Sequence, residues 1–334
     1  MPSRQSDGRL RVLAVLVYGM LYPISTPKAN SAEDLIGFIN AEGNVVVRPT
    51  YAAGAYFFEG KAAVVDHNGK AGFINDVGKL VIPCRFKGLG KFRNGLCSIN
   101  GGFIDHTGKW LIEPRFLVAS EFSEGRAFSS LDGEGFGFID LRGNVVIRPD
   151  FQQCRLFSEG LAGVCRDDRW GFIDHSGEMR IPHVFEAVRP QGFRYGVAGV
   201  QIDGRWGFID YSGNFIVKPE YEDLKSFSEG LASVRRDGKW GMINLDGTIN
   251  VDFKFTDLGE LEGGMTTAKL NGKTGFISSN GSWVIQPVFD RCYRFFGKLA
   301  VVRNEDVYSY LRRDGETVWT SAPGALVQAP PGPA

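Results

Sequence analysis

The chain has 334 residues, of which 43% are hydrophobic, enough apolar material for two ordinary domains or one extended array with a buried core. Lysine plus arginine and aspartate plus glutamate are equal at 38 each, so the chain lacks the net positive charge typical of proteins that bind nucleic acid or anionic lipid. The 44 glycines and 26 phenylalanines favour many tight turns between short strands with aromatic cores, and they predict an all-β fold.

Residues 1–32 differ in composition from the rest of the chain. Arginines at positions 4, 9 and 11 precede an apolar run from Val12 to Tyr22, and small and polar residues follow. This outline predicts a signal peptide, with an uncleaved or disordered N-terminus as the alternative. The run is shorter than the roughly 20 residues of a membrane-spanning helix. We therefore predict an exported protein, periplasmic, at the cell surface or secreted, without an integral membrane segment. A cytoplasmic location is the alternative.

From Ile36 onward the sequence repeats with a period of about 34 residues. A turn glycine, a proline and an aromatic residue keep constant phase with a marker glycine in most units. The marker glycines are Gly37, Gly72, Gly102, Gly137, Gly171, Gly207, Gly241 and Gly275. The pattern predicts an array over residues 33–321, with eight recognisable units and a degenerate C-terminal capping unit around Tyr308. Residues 322–334 are rich in proline, glycine and alanine and are predicted to be disordered.

Three short strands account for the spacing within a unit. Strand A is exemplified by Trp240–Asn244, strand B by Val145–Ile147 and strand C by Leu231–Val234. Asp237-Gly238 predicts a two-residue hairpin between C and A. The Asp or Asn at the end of strand A is expected to accept hydrogen bonds from the following turn, and the proline is expected to end strand B. Each unit is therefore predicted to be a three-stranded antiparallel meander.

The order of the strands bears on whether the array is open or closed. Counted as C-A-B, the first unit begins at strand A, and the last unit already has all three strands. Because no spare C strand remains to close a ring, the sequence favours an open solenoid or superhelical stack over a closed propeller-like ring.

The repeat motif resembles that of a known family. Arg169-Trp170-Gly171, Arg205-Trp206-Gly207 and Lys239-Trp240-Gly241 are each followed by an apolar pair and an Asx turn, and Phe-Ser-Glu-Gly-Leu-Ala occurs at Phe227–Ala232. From Ile36 to Trp319 the array is similar to the bacterial WG repeat family, also called KWG repeats. The resemblance implies repeated β-structure. It implies no common activity, so no catalytic residue is transferred from it.

Trp170, Trp206 and Trp240 are the candidate ligand-facing residues. Their rings could stack on sugars or peptides, but strand alternation places them where successive units would pack, and we favour packing. The glycine after each tryptophan is expected to let a neighbouring backbone or ring approach closely.

No residues form a convincing catalytic, metal or cofactor site. Recurring carboxylates fall in equivalent turns, whereas an active site needs unlike groups in unlike environments. These carboxylates are Glu59, Glu124, Glu159 and Glu229. The four histidines include His106 and His175 in equivalent turns, where we expect exposure. The five cysteines are interpreted as reduced, with a bridge between Cys154 and Cys165 as an alternative. We predict no catalytic residues, no metal ligands and no cofactor.

A repeated scaffold without a catalytic set predicts a non-enzymatic protein that binds another macromolecule. The first hypothesis is a protein partner at or outside the bacterial cell envelope. The alternative is a glycan or cell-wall binding module that uses the repeat aromatics, and a hydrolase is the third possibility. No nucleic-acid partner is expected.

Overall fold

The computed structural model describes residues 11–16, 36–40, 42, 44–88 and 90–321. All regular secondary structure in these residues is β-strand, in thirty-five strands, which confirms the all-β prediction. None of these residues forms a helix long and apolar enough to cross a membrane. Most of the predicted signal peptide and the whole of the predicted C-terminal tail lie outside the described residues.

The described strands form nine sheets, each made of strands that are consecutive in the chain. The first sheet has three strands: β1 (Arg11–Leu16), β2 (Ile36–Asn40) and β3 (Val45–Tyr51). The next three sheets are β4 (Ala53–Phe58), β5 (Lys61–Val65), β6 (Ala71–Asn75) and β7 (Leu80–Phe86); β8 (Phe92–Arg93), β9 (Leu96–Ile99), β10 (Gly102–Ile104) and β11 (Trp110–Ile112); and β12 (Val118–Ala119), β13 (Ala127–Ser130), β14 (Phe136–Ile139) and β15 (Val145–Phe151).

The remaining five sheets are also four-stranded. They are β16 (Gln153–Cys154), β17 (Leu161–Arg166), β18 (Arg169–Asp174) and β19 (Met179–Phe185); β20 (Ala187–Arg194), β21 (Val197–Ile202), β22 (Arg205–Ile209) and β23 (Phe215–Tyr221); β24 (Asp223–Leu224), β25 (Leu231–Arg236), β26 (Lys239–Asn244) and β27 (Ile249–Phe255); β28 (Asp257–Leu258), β29 (Met265–Leu270), β30 (Lys273–Ser278) and β31 (Trp283–Phe289); and β32 (Arg291–Phe296), β33 (Leu299–Asn304), β34 (Val307–Arg312) and β35 (Thr317–Thr320).

The prediction of three strands per unit is wrong, because a further strand precedes the predicted C-A-B set. We call this first strand of each four-stranded sheet the leading strand, the third strand the WG strand and the fourth the edge strand. Five of the eight leading strands are only two residues long. A pair of residues is too short to show the alternation by which a strand is recognised in a sequence. The Asp237-Gly238 hairpin is confirmed: Arg236 pairs with Lys239, and both turn residues have positive φ.

The edge strand bulges where it passes the Trp-Gly motif. Trp170 pairs with Phe185, and Phe172 pairs with Ile181. An advance of two residues along the WG strand therefore corresponds to an advance of four residues along the edge strand. The bulge contains Pro182, so the strand continues past the proline; the prediction that proline ends this strand is wrong. A Cβ on Gly171 would lie 2.5 Å from the carbonyl oxygen of Ile181. This confirms the prediction of a close backbone approach at the glycine.

The hydrophobic core lies between the faces of successive sheets. In one cluster Trp170 and Phe172 of the β16–β19 sheet pack with Phe193 and Val200 of the β20–β23 sheet. The same arrangement recurs between the other neighbouring pairs for which a cluster is resolved. Each repeat therefore supplies one face to the sheet before it and another to the sheet after it, as the blades of a β-propeller do.

The chain divides into two compact units by its contacts. Among the described residues, the first unit contains those up to Lys91 and those from Phe289 to Ser321, and the second runs from Phe92 to Val288. The first unit therefore includes both the beginning and the end of the repeat array.

The prediction of an open stack is wrong. Within the first unit, Ile39 of the first sheet packs in one cluster with Leu299, Val301 and Tyr310 of the last sheet. In an open stack the first and last repeats would not touch. The sequence argument counted one strand too few, because β1 pairs in parallel with β2 and occupies the place that a second strand has in the other sheets. The fold is a β-propeller, and the predicted capping segment forms the complete sheet β32–β35.

Candidate functional site

The three tryptophans of the Trp-Gly motif lie on the WG strands β18, β22 and β26. Trp170 is 6% exposed and Trp240 is 7% exposed, and each belongs to a core cluster shared with the following sheet. Trp206 is half-buried and packs against the equivalent cluster of the next pair of sheets. This geometry favours packing between sheets, and a ligand-facing role for these rings remains a hypothesis.

A cation covers each of these tryptophan rings. The guanidinium carbon of Arg155 lies 4.4 Å from the ring centroid of Trp170, and that of Arg189 lies 4.1 Å from the centroid of Trp206. The Lys225 ammonium lies 5.2 Å from the centroid of Trp240. Each cation belongs to the leading strand of the same sheet or directly follows it. The Trp-Gly motif does not predict these contacts, because the cations lie on or directly after leading strands that the sequence did not reveal.

The charged side chains of the leading strands approach one another in the second unit. Glu260, in the β28–β31 sheet, interacts electrostatically with Lys225 of the adjacent sheet and with Arg189 and Arg194 of the sheet beyond it. We call Arg189, Arg194, Lys225 and Glu260 the inner charge cluster.

Burial controls the ionisation of this cluster. Burial raises the pKa of Glu260, and the neighbouring Arg194 and Lys225 oppose that rise. Burial also lowers the pKa of Lys225 and of Arg189, while nearby carboxylates oppose the fall. These shifts follow from the cost of removing a charge from water.

The three cations over the tryptophan rings differ in how they are neutralised. Arg189 forms an ion pair with Asp223, and Lys225 lies 3.9 Å from Asp257. Arg155 has no carboxylate at ion-pair distance among the described residues. Its Nη1 donates one long hydrogen bond, of 3.5 Å, to the carbonyl oxygen of Cys154, and its buried Nε has no acceptor. The buried Nε of Arg189 likewise has no acceptor among the described residues.

Three of the four recurring turn glutamates, Glu124, Glu159 and Glu229, join neighbouring sheets. All four have positive φ, as the predicted turn requires. The Glu159 carboxylate accepts hydrogen bonds from the backbone N–H groups of Tyr195 and Gly196, both at 2.9 Å, and from the Tyr211 hydroxyl at 2.8 Å. Glu229 binds the N–H groups of Gly263 and Gly264 in the same way. We call this arrangement the glutamate clasp. The sequence predicted the turn but not the bond to the next repeat.

The clasp perturbs the acidity of Glu159. Burial tends to raise its pKa, but the hydrogen bonds from Gly196, Tyr211 and Tyr195 and the charge of Arg194 together lower it. The serine before the glutamate adds a second bond between the same sheets: Ser158 Oγ donates to the Phe193 carbonyl oxygen at 2.6 Å. The Phe-Ser-Glu-Gly segment is therefore an inter-sheet joint.

The two histidines of equivalent turns have intermediate exposure, and each ring stacks on a phenylalanine. His106 stacks on Phe92 with centroids 4.6 Å apart, and His175 stacks on Phe157 at 4.3 Å. The described residues contain no group of three or more His, Cys, Asp and Glu side chains placed to hold a metal ion. The turn aspartates behave as predicted: Asp105, for example, accepts from the Thr107 and Lys109 N–H groups.

The five cysteines are free thiols. Cys154 packs with Phe138 and Phe157 toward the preceding sheet, whereas Cys165 packs with Trp170 toward the following sheet. The two side chains thus lie on opposite faces of one sheet and are not placed to form the disulfide considered as an alternative. Burial raises the pKa of the Cys154 thiol, which lowers its reactivity.

Exposed apolar residues recur at the start of the edge strands, on the side of each sheet away from its first strand. Counting β3 as the edge strand of the first sheet, the first two residues of four edge strands are exposed and apolar: Val45 and Val46, Leu80 and Val81, Val145 and Val146, and Phe215 and Ile216. We call these the edge apolar pairs. Four other edge strands have one such residue at one of these positions or the equivalent one: Leu111, Met179, Ile249 and Val284.

Comparison with known families finds eight tandem matches to the family profile described as WG containing repeat. The matched residues are 36–70, 72–100, 102–133, 136–170, 170–206, 206–240, 240–273 and 275–308. A comparison with curated proteins finds no match.

Several solved structures are similar to the chain. A crystal structure of the eukaryotic initiation factor has a TM-score of 0.51 and 10% identity, with 75% of this chain and 82% of that chain covered. BamB from Moraxella catarrhalis has a TM-score of 0.44 and 13% identity, covering 77% and 92%. The WD40 beta propeller domain of Doa1 has a TM-score of 0.34 and 14% identity, covering 60% and 80%. At these identities the likeness concerns the fold alone.

Proposed function

The chain belongs to the WG containing repeat family, and from this premise we propose that it is a non-enzymatic scaffold that binds another protein. The observation that carries the proposal is the recurrence of edge apolar pairs at one register of the fold. Repeated β-propeller blades form a scaffold of the kind that presents a binding surface.

The edge apolar pairs supply a plausible energy for binding. Val145 is 49% exposed and Phe215 is 39% exposed, whereas the third residue of each of these strands is buried. Burying one such side chain fully contributes about 1.5–3 kcal/mol. Clustered exposed apolar residues mark interaction surfaces on folded proteins. The bulge and the proline of edge strands such as β15, β19 and β23 hinder the addition of a further strand, so docking through side chains is favoured.

A capture experiment tests the proposal. The full chain is cross-linked in its native cells and recovered partners are identified by mass spectrometry. We expect the combined variant Val146→Glu and Ile216→Glu to lose the partner that the wild type captures. The matched control is Arg148→Glu, an exposed polar residue of the same strand as Val146, which should retain capture. Equal capture by the wild type and by the Val146→Glu and Ile216→Glu variant would show that this surface does not bind the partner.

We also propose that binding takes place at or outside the bacterial cell envelope. The support is the sequence of the N-terminal segment, in which basic residues precede the apolar run from Val12 to Tyr22. Fractionation of the native cells tests this proposal. Recovery of the protein in the envelope or extracellular fraction is expected, and recovery of all of it in the cytoplasmic fraction would contradict the proposal.

A further inference from the structure

We propose that the β12–β15 sheet carries a docking patch for a basic and apolar segment of the protein partner. The patch consists of Leu117, Val118 and Leu131, and we call it the hairpin apolar patch. The inference rests on the proposed function, because it names the chemistry of one part of that partner. The patch lies where the leading strand begins and the edge strand ends, whereas the edge apolar pairs lie where edge strands begin. The two surfaces can therefore be tested separately.

The three side chains of the patch are exposed and adjacent. Leu117 is 66% exposed, Leu131 is 55% exposed and Val118 is 40% exposed. The register of β12 on β13, in which Val118 pairs with Ser130, sets Leu117 opposite Leu131. A Cβ on Gly133 would lie 3.1 Å from Leu117 Cδ2, so Leu117 lies against the hairpin that contains Leu131. Adjacent exposed apolar side chains mark an interaction surface, whereas single ones are common on any protein.

Other sheets carry polar residues at the same place. In six of them the register sets the residue directly before the leading strand opposite a residue near the end of the second strand, and at least one of the two is polar. These pairs are Ala52 and Asp66, Gln152 and Arg166, Glu186 and Ile202, Glu222 and Arg236, Thr256 and Leu270, and Asp290 and Asn304. Two opposed exposed leucines are therefore a property of this sheet and not of the repeat.

The polar residue before a leading strand has a structural role that Leu117 does not have. The Glu186 and Glu222 carboxylates each accept a hydrogen bond from a backbone N–H group of the facing turn, at 2.9 and 3.1 Å. A leucine cannot accept this bond. In the β13–β14 hairpin the Gly133 N–H group donates to Ser130 Oγ at 2.8 Å instead. The hairpin is thus closed by its own serine, and the Leu117 side chain contributes no hydrogen bond to it.

The charge beside the patch favours a basic partner. Asp132 and Glu134 belong to the same hairpin and are exposed, and neither forms an ion pair within the described part of the chain. Arg115, close to the patch in sequence, donates to the Gly143 carbonyl oxygen and lies over the Phe116 ring. An apolar patch beside two carboxylates that lack an ion pair is complementary to a segment in which large apolar side chains alternate with lysine or arginine.

Selection of random peptides displayed on phage, with the full chain as the target, tests the inference. We expect the selected peptides to combine large apolar residues with net positive charge. A synthetic selected peptide should lose about tenfold or more in affinity for the combined variant Leu117→Gln and Leu131→Asn, measured by calorimetric titration, because two apolar contacts are removed. The matched control is Leu141→Asn, an exposed leucine at the other end of the same sheet, which should bind the peptide as the wild type does.

A second variant tests the charge and leaves the apolar patch in place. Asp132→Asn combined with Glu134→Gln should weaken binding of the same peptide severalfold at low salt and by less at high salt, because salt screens exposed charges. Asparagine at position 132 keeps an acceptor for the Glu134 N–H group, which donates to Asp132 Oδ1 at 3.0 Å. This variant also reports on the patch if the leucine variant does not fold.

Three results would overturn the inference. They are the absence of any selected peptide that depends on Leu117 and Leu131, selected peptides without positive charge, and a wild-type dimer in light scattering that the leucine variant loses. The last result would assign the patch to a second copy of the chain.

The Val146→Glu and Ile216→Glu variant should bind the peptide normally. If that variant loses cellular capture while no peptide depends on the hairpin apolar patch, the inference fails and the proposed function stands. If the peptide binds as expected but capture does not depend on the edge apolar pairs, the surface assigned under the proposed function fails and the inference stands.

Discussion

Glycine is the residue of the Trp-Gly motif that tolerates least change. The bulged edge strand lies against it, and a Cβ on Gly171 would approach the Ile181 carbonyl oxygen to 2.5 Å. The same closeness recurs at Gly207 and Gly241. Because the atom approached belongs to the backbone, it cannot move aside as the end of a side chain can. The tryptophan beside it packs on the next sheet, so the motif joins a local constraint to an inter-sheet contact.

Gly171→Ala should therefore destabilise the protein by about 1–3 kcal/mol or more, measured as a fall in the urea midpoint of unfolding. The matched control is Gly163→Ala in the same sheet. A Cβ there would lie 3.2 Å from Val188 Cγ2 and 3.4 Å from Arg155 Cγ, so it meets side-chain atoms at longer distances and no backbone atom. A fall for Gly171→Ala no greater than for the control would show that the backbone approach is not what requires glycine.

The glutamate clasp operates at the scale of the element, because it joins the turn of one sheet to the turn of the next. Its three hydrogen bonds at Glu159 require an ionised carboxylate. The pKa of Glu159 is lowered in the folded protein by these bonds and by Arg194, against the effect of burial. A carboxyl group with a lowered folded pKa contributes stability at pH values above its unfolded pKa, about 4.3, and loses it as the pH falls through the folded value.

Glu159→Gln should consequently lower the unfolding midpoint at pH 7, by an amount equivalent to about 1 kcal/mol for this partly exposed group. The difference between variant and wild type should shrink below pH 4. Thermal unfolding at a series of pH values measures it, with the exposed Glu178→Gln as a control expected to change little at either pH. A difference independent of pH would contradict an ionic clasp.

The elements that the sequence predicted correctly are those marked by local chemistry. The Asp237-Gly238 hairpin and the Asp105 turn follow from the conformations that these residues favour over a few positions. The leading strand was missed because two residues carry no pattern. The clasp was missed because the partners of Glu159 lie more than thirty residues away. The cation over Trp170 was missed for a different reason, because Arg155 directly follows an unrecognised two-residue strand.

At the scale of the whole molecule, the repeat motif specifies how each sheet packs on the next but not where the array ends. Every repeat offers one packing face to the repeat before it and one to the repeat after it, so open and closed arrangements share the same local contacts. The sequence count favoured an open stack because it assigned no strand before Ile36. The structure places β1 beside β2 and brings Ile39 into the core of the last sheet, which is the information that the repeats themselves do not contain.

The central claim, that the first and last sheets pack together, can be tested by site-specific photo-cross-linking. Tyr293, which packs against the Ile39 cluster, is replaced by the similarly shaped photoreactive p-benzoylphenylalanine, and the dilute monomer is irradiated. Mass spectrometry should find a cross-linked peptide containing Ile36–Asn40. The same variant denatured in urea before irradiation should not yield it. Cross-links from the folded monomer that never reach Ile36–Asn40 would contradict the closed arrangement.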